Sequence, residues 1–337
     1  MKVGADMSNF NRGMGGMERR MHSVGGVAKS AFGLIAKAGA VAGGAVAVGL
    51  GAAVKSSVQF ERGMRNVNSI AYLNEKQFKA LGKSVTAMAG EVGQKPKVLA
   101  EGLYDIVSSG FKASDAITIL RVSAKAATAG MTDTATASKA VTAGLNAYHL
   151  GASEAGKVSD ILFQVVNKGV LTFGELAQNM GDLVPAAAPL GVKLEEVGAA
   201  LSTITLQGVP AAEAATRVKS VMLQLAKPSE ELSGLLKENG FASGEAAIKA
   251  KGFVGVLEML DAATHGNVTA SAALTPEIRG LLGVVGLTGK NLATYNEHLA
   301  SMKEASKGAG ASAKAFAEQS KSVGVEWQKV SALFDVG

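Results

Sequence analysis

Helix start signals recur about every twenty residues through the middle of the chain, and this spacing constrains the fold more than any other feature. A polar capping residue or a proline just before an apolar stretch marks a helix N-terminus. Six such signals follow one another at intervals of 18, 21, 19, 21 and 17 residues: Ser114, Thr132, Ser153, Thr172, Lys193 and Pro210. Helices of roughly three to four turns with short connections must double back on one another. The sequence therefore predicts a compact stack of short antiparallel helices.

The local sequence around several starts supports this interpretation. Asn74 with Gln77, and Thr172 with Glu175, have the spacing of a capping box, in which each side chain bonds the other residue's backbone N–H. Apolar residues then recur at intervals of three and four, so they share one face of each helix. Three stripes are clearest, and we expect them in the core: Phe173, Leu176, Met180 and Leu183; Leu194, Val197, Leu201 and Ile204; Ala214, Val218, Val221 and Leu225.

Composition excludes the main alternatives to an all-α fold. Only 5% of the residues are aromatic, which disfavours β-sandwiches and barrels, and 47% are hydrophobic, which disfavours a disordered chain. The chain of 337 residues contains no Cys, so it has no disulfide framework and no cysteine-ligated metal. Four segments are predicted: a basic arm (1–29), a long apolar Gly/Ala-rich helix (30–72), a helical core (73–290) and extended C-terminal helices (291–337).

Within the second segment, Ala38–Val54 is a run of 17 residues without a charge. As a helix it would be about 26 Å long, just short of the roughly 30 Å hydrocarbon core of a bilayer. Small residues recur in it at every fourth position, a spacing that lets helix backbones approach closely: Gly39, Gly43, Ala47 and Gly51. Three interpretations stay open, namely a helix packed against copies of itself, a membrane-inserting segment and an ordinary buried helix.

The positive charge of the chain is concentrated at its start. Residues 1–60 hold seven Lys or Arg against Asp6 and Glu18, a net charge of +5 out of +6 for the whole chain. Such an arm suits contact with nucleic acid or anionic lipid, or simply a solvated basic helix. The basic arm (1–29) contains no dense basic cluster and a single aromatic, Phe10, so sequence-specific recognition of DNA is not expected.

No constellation of catalytic residues is present. The four histidines form no metal-binding motif, and no phosphate-binding glycine loop or nucleophile elbow occurs: His22, His149, His265 and His298. Glu195 and Glu196 stand at a helix start, where the positive end of the helix dipole explains them. Gly283, Gly286 and Gly289 predict a helix break with close packing. We therefore expect no enzymatic activity, no cofactor and no metal ion.

Several segments have a specific order that matches a known family. They are Lys2–Met14 (KVGADMSNFNRGM), Val58–Val67 (VQFERGMRNV), Val107–Ala116 (VSSGFKASDA), Gly144–Leu162 with its aspartate-bearing helix, Pro189–Leu201 and Arg217–Leu232. In this order they resemble the phage tail tape-measure proteins, over about residues 1–260. Members of that family usually continue into a long coiled region, often with a cell-wall hydrolase module. Neither is present here, so we expect a fragment, a short relative or one product of a split gene.

The resemblance implies a structural protein of the tail lumen that scaffolds tube polymerisation, sets tail length and leaves the tail at infection to help DNA cross the host envelope. The implied partners are other copies of the chain, the tail-tube protein, tail-assembly chaperones, tail-tip or baseplate proteins and the host inner membrane. The implied locations are the virion, the host cytoplasm during assembly and the host membrane during ejection. A membrane-active helical pore is the alternative, using the basic arm and the apolar run.

Overall fold

The computed structural model describes residues 45–308 and 310–322, with side chains from Lys55 onward. These residues form α-helices joined by turns and contain no strand, which confirms the predicted all-α class. The helices are α1 (Ala45–Ala71), α2 (Glu75–Val92), α3 (Pro96–Ser108), α4 (Ala113–Ala129), α5 (Thr134–Ala147), α6 (Ala155–Lys168), α7 (Phe173–Ala187), α8 (Leu194–Leu206), α9 (Ala211–Ala226), α10 (Glu230–Glu238), α11 (Gly244–Thr264), α12 (Val268–Leu274), α13 (Ile278–Leu287), α14 (Asn291–Ala305) and α15 (Ala311–Gln319).

Helices two apart in the chain pack side by side, so the core is a two-layer array. One layer runs α1, α3, α5, α7 and α9, and α13 packs next to α9. The second layer runs α2, α4, α6 and α8. Each short helix thus contacts its neighbour in the chain and the equivalent helix of the next hairpin, as in helical solenoids. The predicted stack of helices is confirmed in this form.

Capping at the helix N-termini follows the sequence closely. The Asn74 side chain accepts the Gln77 N–H at 3.0 Å, and the Gln77 side chain accepts the Asn74 N–H at 3.1 Å. Thr172 and Glu175 form the second predicted capping box. The predicted capping residue Ser114 lies inside α4, because the N-cap is Lys112, two residues earlier, and the helix begins at Ala113.

The twelve stripe residues named above are all buried, which confirms them as core. Gly283 allows a close approach between α13 and the backbone of α9. A Cβ placed on it would lie 2.8 Å from the Arg217 carbonyl oxygen and 2.6 Å from Val221 Cγ2. Gly289, two residues after the end of α13, has a φ of +62°. The predicted close packing and helix break are therefore both present in this segment.

The prediction of extended C-terminal helices is wrong for residues 291–319. Helix α14 packs against α8 and α6, and α15 packs against α6 and α4, so both helices return across the second layer. The physical reason is a stripe at intervals of four and three that buries Tyr295, Leu299 and Met302. We call α14 and α15 together the C-terminal strap.

Replacing Gly283 with Ala should lower the free energy of unfolding by about 1–3 kcal/mol, because the added methyl group meets a backbone carbonyl that cannot move independently of α9. Gly181→Ala is the matched control. Gly181 lies inside α7, and no atom lies within 4 Å of the position that its added methyl group would take, so helix propensity alone should stabilise that variant by up to about 1 kcal/mol. Urea denaturation followed by far-UV circular dichroism measures both. Equal effects of the two substitutions would contradict the close α9–α13 contact.

Candidate functional site

The predicted small-residue stripe lies at the edge of the described structure. Gly39 and Gly43 fall outside the described residues, and Ala47 and Gly51 are described only as part of the α1 backbone. The role of the stripe therefore stays a prediction. Among residues 45–308 and 310–322, no helix has the length and apolarity needed to cross a bilayer.

The histidines do not come together. His149 and His265 each lie in a turn with a positive φ, of +53° and +49°, while His298 is buried in α14, and His22 is outside the described residues. In the part of the chain that the structure describes, no group of three acidic, His or Cys side chains is arranged to hold a metal ion.

His298 instead fastens α14 to α8. Its Nδ1 lies 3.1 Å from Ser202 Oγ and 3.0 Å from Thr203 Oγ1. The Ser202 hydroxyl donates to the Gly198 carbonyl at 2.9 Å, and the Thr203 hydroxyl donates to the Ala199 carbonyl at 2.7 Å. Each hydroxyl has a single hydrogen, which is already donated to a carbonyl. We therefore assign a hydrogen to Nδ1 of His298, which donates it to both hydroxyl oxygens.

The Ser202–His298 contact resembles a nucleophile–base pair only in its distance. Both side chains are buried, so a substrate could not reach the hydroxyl, and its hydrogen is already bonded to a carbonyl. The carboxylate next to the histidine, Glu297, accepts instead from Lys168 Nζ of α6 at 2.9 Å. The arrangement therefore joins helices and does not assemble a catalytic triad.

Burial lowers the pKa of His298, and the positive charge of Lys168 lowers it further, whereas the Glu297 carboxylate acts in the opposite direction. The folded protein therefore favours the neutral imidazole at this position.

Asp160 of α6 holds the start of α15. One carboxylate oxygen, Oδ2, accepts the Gly310 N–H at 2.8 Å. The other, Oδ1, accepts the Ser312 N–H at 2.8 Å and the Ser312 hydroxyl at 2.6 Å. This buried carboxylate thus acts as an N-cap supplied by a helix 150 residues away in the chain. Nearby, Lys125 Nζ of α4 lies 5.7 Å from the centre of the Phe316 ring of α15.

Glu196 has the same role at two helix starts. Its Oε2 accepts the Lys193 N–H at 3.0 Å, which caps its own helix α8. Its Oε1 accepts the Phe253 N–H at 2.8 Å. Phe253 follows Gly252, whose φ of +74° kinks α11, so Glu196 caps the second half of that helix. The ordinary helix-start explanation of Glu196 is confirmed, and the contact with α11 is an addition.

Asp160, Glu196 and His298, together called the anchor residues, connect the second layer to C-terminal elements of the chain. All three are buried and bonded to backbone or hydroxyl groups. Sequence reasoning draws attention to the segments containing Asp160 and Glu196 without finding these contacts. In the sequence, Asp160 and Glu196 stand out only as acidic residues among apolar ones. The partner of Glu196 lies 57 residues away in the chain, and that of Asp160 lies 150 residues away.

Comparison with known proteins places this architecture in a biological setting. The model of the family "Phage-related minor tail protein" matches residues 75–280. A probable tape measure protein of Clostridium phage phiCD119 is 26% identical in an alignment of 291 positions that covers 80% of this chain and 30% of that protein. The tape measure protein of Pneumococcus phage Dp-1 is 24% identical over 189 residues, 56% of this chain and 16% of that protein. The chain therefore spans less than a third of either relative, and no solved structure matches it.

Asp160→Asn should release α15, because the amide presents an N–H₂ group to backbone donors and supplies one acceptor oxygen in place of two. A loss of roughly 1–3 kcal/mol in local stability is expected. Hydrogen–deuterium exchange should then rise in residues 311–319 while α4 stays protected. Asp182→Asn, at an exposed position of α7, is the control and should change neither region. Unchanged protection of α15 in Asp160→Asn would refute the capping role.

Acidification should weaken the attachment of the strap. Since the folded-state pKa of His298 lies below its ordinary value of 6.5, the stability that depends on the neutral ring is complete above about pH 6.5 and is lost as the pH falls toward the folded-state pKa. Urea unfolding measured at several pH values between about 7.5 and about 5 tests this. His298→Asn keeps an N–H donor but cannot titrate, so its stability should fall less on acidification. His149→Asn, in an exposed turn, should behave like the parent protein.

Proposed function

Because the chain belongs to the family of phage-related minor tail proteins, we propose that it is the core portion of a tail tape-measure protein. The observation that carries the proposal is the coincidence of the family match, residues 75–280, with the array from α2 into α13. The two tape-measure relatives add support, since the match to the phiCD119 protein extends over 80% of the chain. The proposed role is a structural one in the tail lumen, with no enzymatic step.

In this role the chain scaffolds polymerisation of the tail tube and contributes to setting tail length. Its proposed partners are further copies of itself, the tail-tube protein, the tail-assembly chaperones and the tail-tip or baseplate proteins. Assembly takes place in the host cytoplasm, and at infection the protein leaves the tail and helps the genome pass through the host envelope. The comparisons name tail proteins, and the described helices give no support to the pore-forming alternative.

The folded array is unsuited to measuring tail length. A single helix of 337 residues would be about 500 Å long, but in the array each hairpin returns the chain to the same edge. We therefore assign length measurement to chain outside the array and to the part of α1 that precedes its buried residues Met64 and Val67. The array itself we assign to contacts made during assembly.

Both assignments can be tested by lengthening the chain at two positions and measuring the tails of the phage that encodes it. An in-frame helical insert of roughly 54 residues after Lys55, within α1, should lengthen the tail by about 80 Å. The same insert after Gly240, in the exposed turn between α10 and α11, is the matched control and should leave the length unchanged. Electron microscopy of negatively stained particles measures the outcome. Normal tails of unchanged length with the α1 insert would overturn the ruler role, and equal lengthening by both inserts would show that the array opens in the lumen.

We also propose that the stripe of Gly39, Gly43, Ala47 and Gly51 mediates self-association. Gly43→Leu would separate helix backbones that pack closely, so it should shift the chain toward monomer in sedimentation velocity experiments at high micromolar concentration. Gly181→Leu introduces the same side chain at an exposed site of α7 and should leave the oligomeric state unchanged. A parent protein that is already monomeric, or a Gly43→Leu variant that stays oligomeric, would refute the proposal.

A further inference from the structure

A groove of about 790 Å³ opens between the first hairpins of the array, beside the α1–α2 and α3–α4 turns. Its floor is apolar, and most of the apolar side chains in it are only half buried, including Ile70, Leu73, Val107, Phe111 and Ile117. By contrast, the apolar stripes of α7, α8 and α9 are fully buried against neighbouring helices. The groove therefore exposes part of a surface that is otherwise used for helix packing.

The turn that borders this groove is held rigidly. Asn68 of α1 accepts the Leu73 N–H at 2.7 Å, and the Asn74 capping box fixes the residues that follow. Between them, Tyr72 has a positive φ of +51° and is 87% exposed. A bulky residue seldom adopts this conformation, yet here it presents an aromatic side chain next to two residues of the groove. An aromatic ring on a rigid support is typical of an interface anchor.

The charge around the groove has one predominant sign. Lys112 is the sole charged residue among those that line it. Lys76 and Lys83 are exposed on α2, each next to a lining residue, and none of the three lysines forms an ion pair with another described residue. Of the neighbouring carboxylates, Glu75 is paired with Lys79, and Asp115 is exposed at the start of α4.

We propose that this groove binds an amphipathic helix of another protein, with acidic residues flanking its apolar face. The apolar side chains would cover the floor at the i, i+3, i+4, i+7 spacing typical of helix-in-groove recognition, and the acidic residues would face Lys76, Lys83 and Lys112. The chain's own arm is a poor occupant, because residues 1–44 hold six Lys or Arg against two acidic residues. The inference rests on groove shape and charge, so it does not depend on the proposed tail role.

Fluorescence anisotropy with the full chain tests the proposal. The probe is a labelled amphipathic peptide of about 18 residues with leucines on one face and glutamates on both flanks. A second peptide has lysine in place of every glutamate. The acidic peptide should bind at least about ten-fold more tightly than the basic one, and its affinity should fall as the salt concentration is raised from about 50 mM to about 500 mM.

Two sets of substitutions locate the binding surface. The triple variant Lys76→Glu, Lys83→Glu and Lys112→Glu should weaken binding of the acidic peptide at least about ten-fold. The control is a second triple variant that changes the net charge equally at exposed positions far along the chain: Lys227→Glu, Lys237→Glu and Lys290→Glu. This control should weaken binding of the acidic peptide much less. Circular dichroism and urea unfolding confirm that both variants are folded. Ile117→Glu, on the groove floor, should also weaken binding.

Three results would overturn the assignment. They are no binding of the acidic peptide at about 1 mM, equal binding of the two peptides, and equal weakening by the two triple variants.

Discussion

Most helices in this array are too short to be stable alone, and the rest of the structure depends on that fact. Helices of about 13–17 residues are marginal in water, so their stability comes from tertiary packing of one apolar face. In the array each face is shared between the neighbour in the chain and the equivalent helix of the next hairpin. Small residues set the separation, as at Gly283, where any side chain would meet the backbone of α9. The low aromatic content of the chain fits this close packing of small and medium side chains.

Unpaired backbone groups at the helix ends explain the buried acidic residues. A helix N-terminus has backbone N–H groups without intrahelical partners, and its dipole favours a negative charge. At α2 and α7 a nearby residue supplies the acceptor. At α15 and at the kink in α11 the acceptor comes instead from Asp160 and Glu196 of the second layer. These two carboxylates are thus N-caps whose donor helices lie far away in sequence.

The sequence predicts contacts between residues that are close together in the chain, and it does not predict contacts between distant ones. Capping boxes and apolar stripes involve residues three or four apart, so the sequence predicts Asn74, Thr172 and the twelve stripe residues correctly. It does not predict the strap, because the apolar stripe of α14 does not indicate which helices it covers. Its contacts with α8 and α6 join residues more than 90 positions apart. The groove is also invisible in the sequence, since Ile117 and Phe111 have the pattern of core residues and only the missing neighbour leaves them half exposed.

The strap also changes how the array can open. In a repeat array each unit contacts only its neighbours, so one hairpin can separate without disturbing distant ones. Here α14 and α15 together contact α8, α6 and α4, and thus couple hairpins that would otherwise open independently. Opening at any of these helices must break an anchor at Asp160 or His298, or detach the strap first. In the proposed tail role, the chain would have to lose this coupling before it could extend inside a narrow tube, so we expect the strap to be the first element to separate.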